Sequence, residues 1–289
     1  MRIRGKNLKI TVNDLTVSYH DEGPVDAPAI IFIHGFPLNK SMWDGQLGAL
    51  KDNYRVIAYD IRGHGNTGSS EENFSIDLFT NDLIFLMDAL DLKKPALCGL
   101  SMGGYIALNA IGKFPEHFSA LVLSDTQCTA DSAEAKVKRI QTIENIHRSG
   151  VENYAEESLK KLFATVSFTT KQQEIAAVRK MIVQTTPQSL SYTLFALAER
   201  KGTCNKLQDI EVPVLIIVGE FDEITPLAAA RLMHGKIQGA QLNILANSGH
   251  LANLENALEF NGLLKQFIPQ VSKKLIPLVL AENLLSIGI

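Results

Sequence analysis

A serine with glycine two residues away on each side, in Gly99-Leu100-Ser101-Met102-Gly103, follows a short apolar run and precedes apolar residues at helical spacing. That setting builds a nucleophile. A strand turning sharply into a helix strains the residue at the turn, and the positions two before and two after it are crowded unless they lack side chains. A serine hydroxyl is a weak nucleophile by itself. It needs a base, an acid that orients the base, and N–H donors for the oxyanion that forms.

The chain holds a candidate for each part. His250, in Asn247-Ser248-Gly249-His250, sits where a loop follows the last expected strand and is the candidate base. Among the other histidines, His20, His117, His147 and His234 fall in peripheral or inserted segments, and His34 and His64 lie in glycine-flanked loops. Asp222 is the expected orienting acid, giving the chain order Ser, Asp, His. Glu220 and Glu223 share its loop as solvated or capping carboxylates, and Asp125, which closes another central strand, is an alternative acid. The expected oxyanion donors are the N–H of Met102, at the start of a helix, and that of Phe36 in His34-Gly35-Phe36-Pro37, where Pro37 has none to offer. His34 would tether this loop, and the Phe36 ring would line the pocket. The glycine-rich run from Asp60 to Thr67 lacks the spacing of a phosphate cradle and is expected to be a structural loop with an Asp60–Arg62 ion pair. No spacing suits a metal, and no cofactor is expected.

Positioning these residues requires a sheet. Apolar, β-branched runs at 29–33, 54–59, 96–98, 120–123, 214–218 and 242–245 suit strands buried on both faces, after a hairpin at 8–12 and 15–19. Helical patterns at 75–90, 102–111, 226–233 and 254–267 alternate with them, which predicts an α/β fold with a mostly parallel central sheet flanked by helices. Residues 126–206 contain no convincing strand. They read as an all-helical cap inserted between core segments 1–125 and 207–270, with Phe163, Met181 and Phe195 expected to join Phe36 in lining the substrate pocket. An apolar tail, 271–289, is interrupted by Pro277, Glu282 and Asn283, too short for a membrane span, and suited to packing or homo-oligomer contact.

The net charge of −3 over 289 residues, with no dense Lys/Arg stretch, argues against nucleic acid and for a small-molecule partner. Cys98, Cys128 and Cys204 are few, odd in number and unpatterned, and Arg2, Arg4, Lys6 and Lys9 interrupt any leader-like run, so a reducing cytoplasm is the expected location. Cys98, inside an expected strand, reads as a core residue.

Through His34-Gly35-Phe36-Pro37, Asp60-x-Arg62-Gly63-His64-Gly65, Gly99-Leu100-Ser101-Met102-Gly103-Gly104, Gly219-x-x-Asp222 and Gly249-His250, the chain resembles the α/β-hydrolase superfamily over nearly its whole length. Residues 34–43 and 121–131 look like the small cytoplasmic esterases related to 3-oxoadipate enol-lactonases, with a helical cap between strands six and seven. The resemblance implies a Ser101–His250–Asp222 triad, an oxyanion hole from Phe36 and Met102, and cleavage of a carboxylic ester or lactone through an acyl-enzyme. Haloalkane dehalogenases and epoxide hydrolases use aspartate at the elbow, so Ser101 sets the chain apart from them. Cofactor-free perhydrolases and haloperoxidases share Ser-Met-Gly-Gly and are an alternative, as are an enol-lactonase proper and a slow-turnover receptor on the same fold. An enol-lactone carrying a carboxylate would need a cation, for which Arg139, Arg200 and Lys201 are the candidates.

Overall fold

The computed structural model describes residues 4–12, 14–69 and 74–268. Its strands are β1 (Gly5–Val12), β2 (Leu15–Glu22), β3 (Ala29–Ile33), β4 (Arg55–Tyr59), β5 (Ala96–Leu100), β6 (Ala120–Ser124), β7 (Val214–Gly219) and β8 (Gln241–Leu245). They form one sheet in the order β1-β2-β4-β3-β5-β6-β7-β8. The β1–β2 hairpin and the β2–β4 pair are antiparallel, and every pairing from β4 to β8 is parallel.

Period-two alternation divides each central strand between two cores. Ile31, Ile33, Leu97, Leu121, Leu123, Ile216 and Val218 pack on one face with α2 (Ile76–Ala89), α3 (Met102–Lys113) and α8 (Leu227–Lys236). Ile30, Phe32, Cys98, Val122, Leu215 and Ile217 pack on the other, with α1 (Asp44–Leu50) and the helix over 257–268. Helices on both faces explain why these strands are continuous apolar runs rather than alternating ones. Cys98 lies in this second core, where burial pushes its thiol pKa up.

Between β6 and β7 the chain forms helices α4 (Ala133–Leu162), α5 (Ser167–Thr170), α6 (Gln172–Val183) and α7 (Pro187–Glu199). Gly150, at φ 85° and ψ 164°, breaks α4 into two pieces, a backbone conformation that glycine adopts without strain. The short helix α9 (Ala252–Glu255) follows β8. Among the described residues no helix is long and apolar enough to cross a membrane. The 271–289 tail expected to mediate association lies outside the described residues.

Two expectations about side-chain pairing are corrected. Asp60 does not pair with Arg62: its carboxylate turns inward to the buried Lys40 Nζ (2.7 Å) and accepts the Lys40 and Asn66 backbone N–H groups. Arg62 reaches the other way, placing two guanidinium nitrogens on Asp82 of α2 at 2.9 and 2.7 Å. Neighbouring residues in this loop point to different elements, so each finds its ion-pair partner outside the loop.

The cysteines are the second correction. Cys128 and Cys204 form a disulfide spanning 76 residues, beside a Thr203 N–H bond to the Cys128 carbonyl of 2.8 Å. It ties together the two segments by which the helical insertion leaves and rejoins the sheet. A pair so far apart in sequence has no legible spacing, and a lasting disulfide counts against the expected reducing compartment. Closing a loop of this length stabilises a fold by roughly 2–4 kcal/mol. Cys204→Ser is therefore expected to lower Tm by about 5 °C in a thermal melt without reductant, and an unchanged Tm would show the bridge to be absent in solution.

Candidate active site

Ser101 stands at the junction of β5 and α3 with φ 53° and ψ −114°, the strained turn expected from its flanking glycines. The crowding is severe. A Cβ on Gly99 would lie 2.3 Å from the Gly103 carbonyl oxygen, and one on Gly103 would lie 2.1 Å from the carbonyl oxygen of Ile33 in β3. Hydrogen bonds hold the strained residue from both sides. Its N–H donates to the Ser124 carbonyl (3.0 Å), and its own carbonyl accepts the Thr126 hydroxyl (2.8 Å).

His250 follows β8 and is buried. Its Nδ1 lies 2.9 and 3.0 Å from the two oxygens of Asp222, which follows β7. The Asp222 carboxylate also accepts the Ile224 and Thr225 N–H groups (2.9 and 3.0 Å) and the Thr225 hydroxyl (2.6 Å). A carboxylate so supplied with donors is fixed in place and kept ionised. Burial works to raise its pKa, but the His250 charge and these hydrogen bonds outweigh it and hold the pKa below the usual carboxylate value. Burial alone would lower the His250 pKa, yet the Asp222 carboxylate beside it holds it above the ordinary imidazole value. With Nδ1–H donating to Asp222, the other ring nitrogen, Nε2, carries the free lone pair.

Asp125, the alternative acid, is also buried close by, but its oxygens are committed elsewhere. Oδ1 accepts the Gly219 N–H (2.8 Å) and Oδ2 bonds the Ser124 hydroxyl (2.7 Å), so it ties the end of β6 to the end of β7. Burial, and then the Asp222 charge, push its pKa well above the ordinary carboxylate value. Glu220 and Glu223 are exposed, and Glu220 accepts the Asn247 N–H.

The loop after β3 lies against the elbow. A Cβ on Gly35 would be 2.9 Å from the Leu100 side chain and 3.3 Å from Ser101 Cβ, which brings Phe36 alongside the serine. His34 tethers this loop as expected: its Nε2 accepts the Ile61 N–H (2.9 Å), and burial depresses its pKa to about 3, so it stays neutral. His64 packs behind it, likewise neutral, with a pKa lowered to about 4 by burial. Met102 opens α3, where the first N–H groups have no intrahelical acceptor.

Ser101, His250 and Phe36 open on one cavity of about 770 Å³. Tyr105, Leu162, Leu194, Leu197 and Ile224 supply its apolar wall, and a face of α4 supplies a polar one with Lys138, Arg139, Asn145, Arg148 and Asn153. Three expected pocket residues are not in this wall. Phe163 and Met181 are buried in the second core, and Phe195, 48 % exposed, turns to solvent because Leu194 and Leu197 occupy the inward face of α7. Of the expected cations, Arg139 lines the cavity and is paired with Asp131. Arg200 is buried, stacked 4.3 Å from the Tyr105 ring centroid and bonded to Asp131, while Lys201 lines a smaller neighbouring cavity. Apart from Arg139, the polar face of α4 carries no mark in the sequence beyond the recurrence of Lys138, Thr142, Asn145, Ser149 and Asn153 three or four residues apart.

A family model described as alpha/beta hydrolase fold matches residues 28–257. The chain is 29 % identical over 252 residues to 3-oxoadipate enol-lactonase 2 of Acinetobacter baylyi, covering 87 % of this chain and 92 % of that protein. Among solved structures it is similar to a thermophilic esterase from Thermogutta terrifontis, determined with malate bound, at 30 % identity and a TM-score of 0.87, covering 92 % of this chain and 99 % of that one. It is also similar to the enol-lactonase of Burkholderia xenovorans LB400, at 26 % identity and a TM-score of 0.85, covering 91 % of this chain and all (100 %) of that one.

Proposed function

This chain belongs to the alpha/beta hydrolase fold family, and from that premise we propose that it is a serine hydrolase of carboxylic esters or lactones working through an acyl-enzyme. One observation carries the reading: His250, with Asp222 at 2.9 Å behind it, and the strained Ser101 open on the same cavity. Ser101 Oγ attacks the carbonyl carbon while His250 Nε2 takes its proton. The oxyanion forms against the N–H groups of Met102 and Phe36. His250 then protonates the leaving alcohol, and water, deprotonated by the same nitrogen, releases the acid and restores Ser101. Asp222 holds the imidazole in the tautomer this requires and stabilises the imidazolium.

The division of labour places chemistry in the core, 1–125 and 207–270, and selection in the cap, 126–206. The apolar wall suits an acyl or aryl group. A second reading, a lactone bearing a carboxylate as in the enol-lactonases it resembles, is supported by Lys138, Arg148 and Lys161 on the polar wall, whose two carboxylates, Glu156 and Glu157, are paired with Arg179 and Lys160. A panel of aryl esters and lactones, neutral and carboxylate-bearing, tests both. Turnover of neutral esters alone supports the first, preference for carboxylated lactones supports the second, and no turnover of any member contradicts the proposal. Cytoplasmic action on such metabolites fits this reading if the Cys128–Cys204 bridge is one that a reducing cell opens.

The base sets the pH dependence. An imidazolium cannot accept a proton, so kcat/KM is expected to fall as pH drops through the His250 pKa. Asp222 raises that pKa, so the midpoint should lie above the ordinary imidazole value of about 6.5. A rate profile flat down to about pH 4 would contradict the assignment.

A further inference from the structure

The loop carrying His250 is fastened to the helical insertion as well as to the core. The His250 N–H donates to the Leu162 carbonyl at 3.0 Å. Glu255, buried on α9, accepts the Gly249 N–H at Oε1 (2.8 Å) and the Ala164 N–H at Oε2 (2.8 Å), and Oε2 also accepts the Ser167 hydroxyl (2.5 Å). The two segments touch: a Cβ at position 249 would lie 2.6 Å from the Ala164 nitrogen. The platform beneath is rigid, because the Asn253 side chain donates to the Met42 carbonyl (3.0 Å) and its backbone carbonyl accepts from Gln46 (3.1 Å).

We propose that Glu255 is a positioning residue for His250: it latches the histidine loop onto residues 162–167 of the insertion, so that the imidazole is in register with Ser101 only while the insertion is docked. The inference rests on the serine hydrolase reading. Three donors converge on this side chain, two of them backbone N–H groups that cannot be reversed, and only a carboxylate accepts at both ends. Glutamine would turn an NH2 toward one of them. The latch also joins the base to the wall of the substrate cavity, since Leu162 belongs to both.

Its charge adds a second effect. The ionisable groups facing the imidazole are Asp222 from the loop after β7, Asp125 from the end of β6 and Glu255 from α9. Asp222, in contact with the ring, favours the imidazolium most, then Asp125, and then Glu255. Removing Glu255 should make His250 easier to deprotonate.

The test compares wild type, Glu255→Gln and Ser167→Ala by kcat and KM for a short aryl ester across pH, with fluorophosphonate labelling of each. Glu255→Gln is expected to lower kcat about tenfold by misplacing the base, with KM changed less, and to move the acidic limb of kcat/KM to lower pH. Ser167→Ala, which keeps the charge and loses one bond of the latch, is expected to lower kcat about threefold with the limb unmoved. A Glu255→Gln enzyme with wild-type kcat, or with reduced kcat and an unmoved limb, overturns the proposal. Should that variant fail to fold, Ser167→Ala decides, and wild-type kcat there overturns it. Wild-type protein that takes up no label defeats the serine hydrolase reading instead, which keeps the two failures apart.

Discussion

Ser101→Ala is expected to lower kcat/KM for any ester this chain hydrolyses by about 10⁵-fold, equivalent to about 7 kcal/mol of transition-state stabilisation. Without Oγ no acyl-enzyme forms, and what remains is the weak help that the Phe36 and Met102 N–H groups give to direct attack by water. The fold should hardly notice. The Ser101 side chain makes no capping bond to α3, and its neighbours are held through its backbone, so Tm should stay within about 1 °C of wild type. Steady-state kinetics and a thermal melt on the same preparation separate lost chemistry from lost structure. A variant within tenfold of wild-type activity would show that another group is the nucleophile.

Asp222→Asn is expected to cost about 10⁴-fold in kcat. The substitution preserves shape but turns an amide toward a ring nitrogen that now donates, so the imidazole must reverse its tautomer and lose the lone pair that Ser101 needs. The Thr225 hydroxyl and the Ile224 and Thr225 N–H groups would also face a poorer acceptor, which adds some loss of stability. Asp125→Asn provides the contrast. The carboxyl oxygen that accepts the Gly219 N–H is replaced by an amide oxygen that does the same, and activity should stay within about tenfold of wild type. If Asp125→Asn suffers the larger loss, the orienting acid has been placed on the wrong strand.

The central strands were legible because burial on both faces demands continuous apolar runs, and β3 begins and ends at the residues its pattern marks. The elbow was legible for a steric reason. Gly99 and Gly103 are required by carbonyl oxygens that a Cβ would strike, and that constraint leaves a trace in a single chain. The sequence favours Asp222 as the orienting acid and leaves Asp125 as the alternative, since each closes a strand. Geometry separates them, because only Asp222 meets Nδ1 while Asp125 bridges two strand ends.

What escaped was chosen by tertiary contact. The Cys128–Cys204 bridge spans 76 residues, and the ion-pair partners of Asp60 and Arg62 are Lys40, between β3 and α1, and Asp82 on α2. Among the cap residues, apolar character alone suggested Phe163, Met181 and Phe195 for the pocket. The cavity instead takes Leu194 and Leu197 from the inward face of α7 and the polar face of α4. Glu255, five residues past His250, looks like any helix-end acid until the insertion is folded against it.

In this mechanism Ser101 is a nucleophile activated by His250 and Asp222. Incubating the protein with a fluorophosphonate and sequencing the modified peptide by mass spectrometry tests it most directly. A single adduct is expected, on Ser101, formed more slowly as pH falls through the His250 pKa and absent from Ser101→Ala. Wild-type protein that remains unmodified, or an adduct on any other residue, would contradict it.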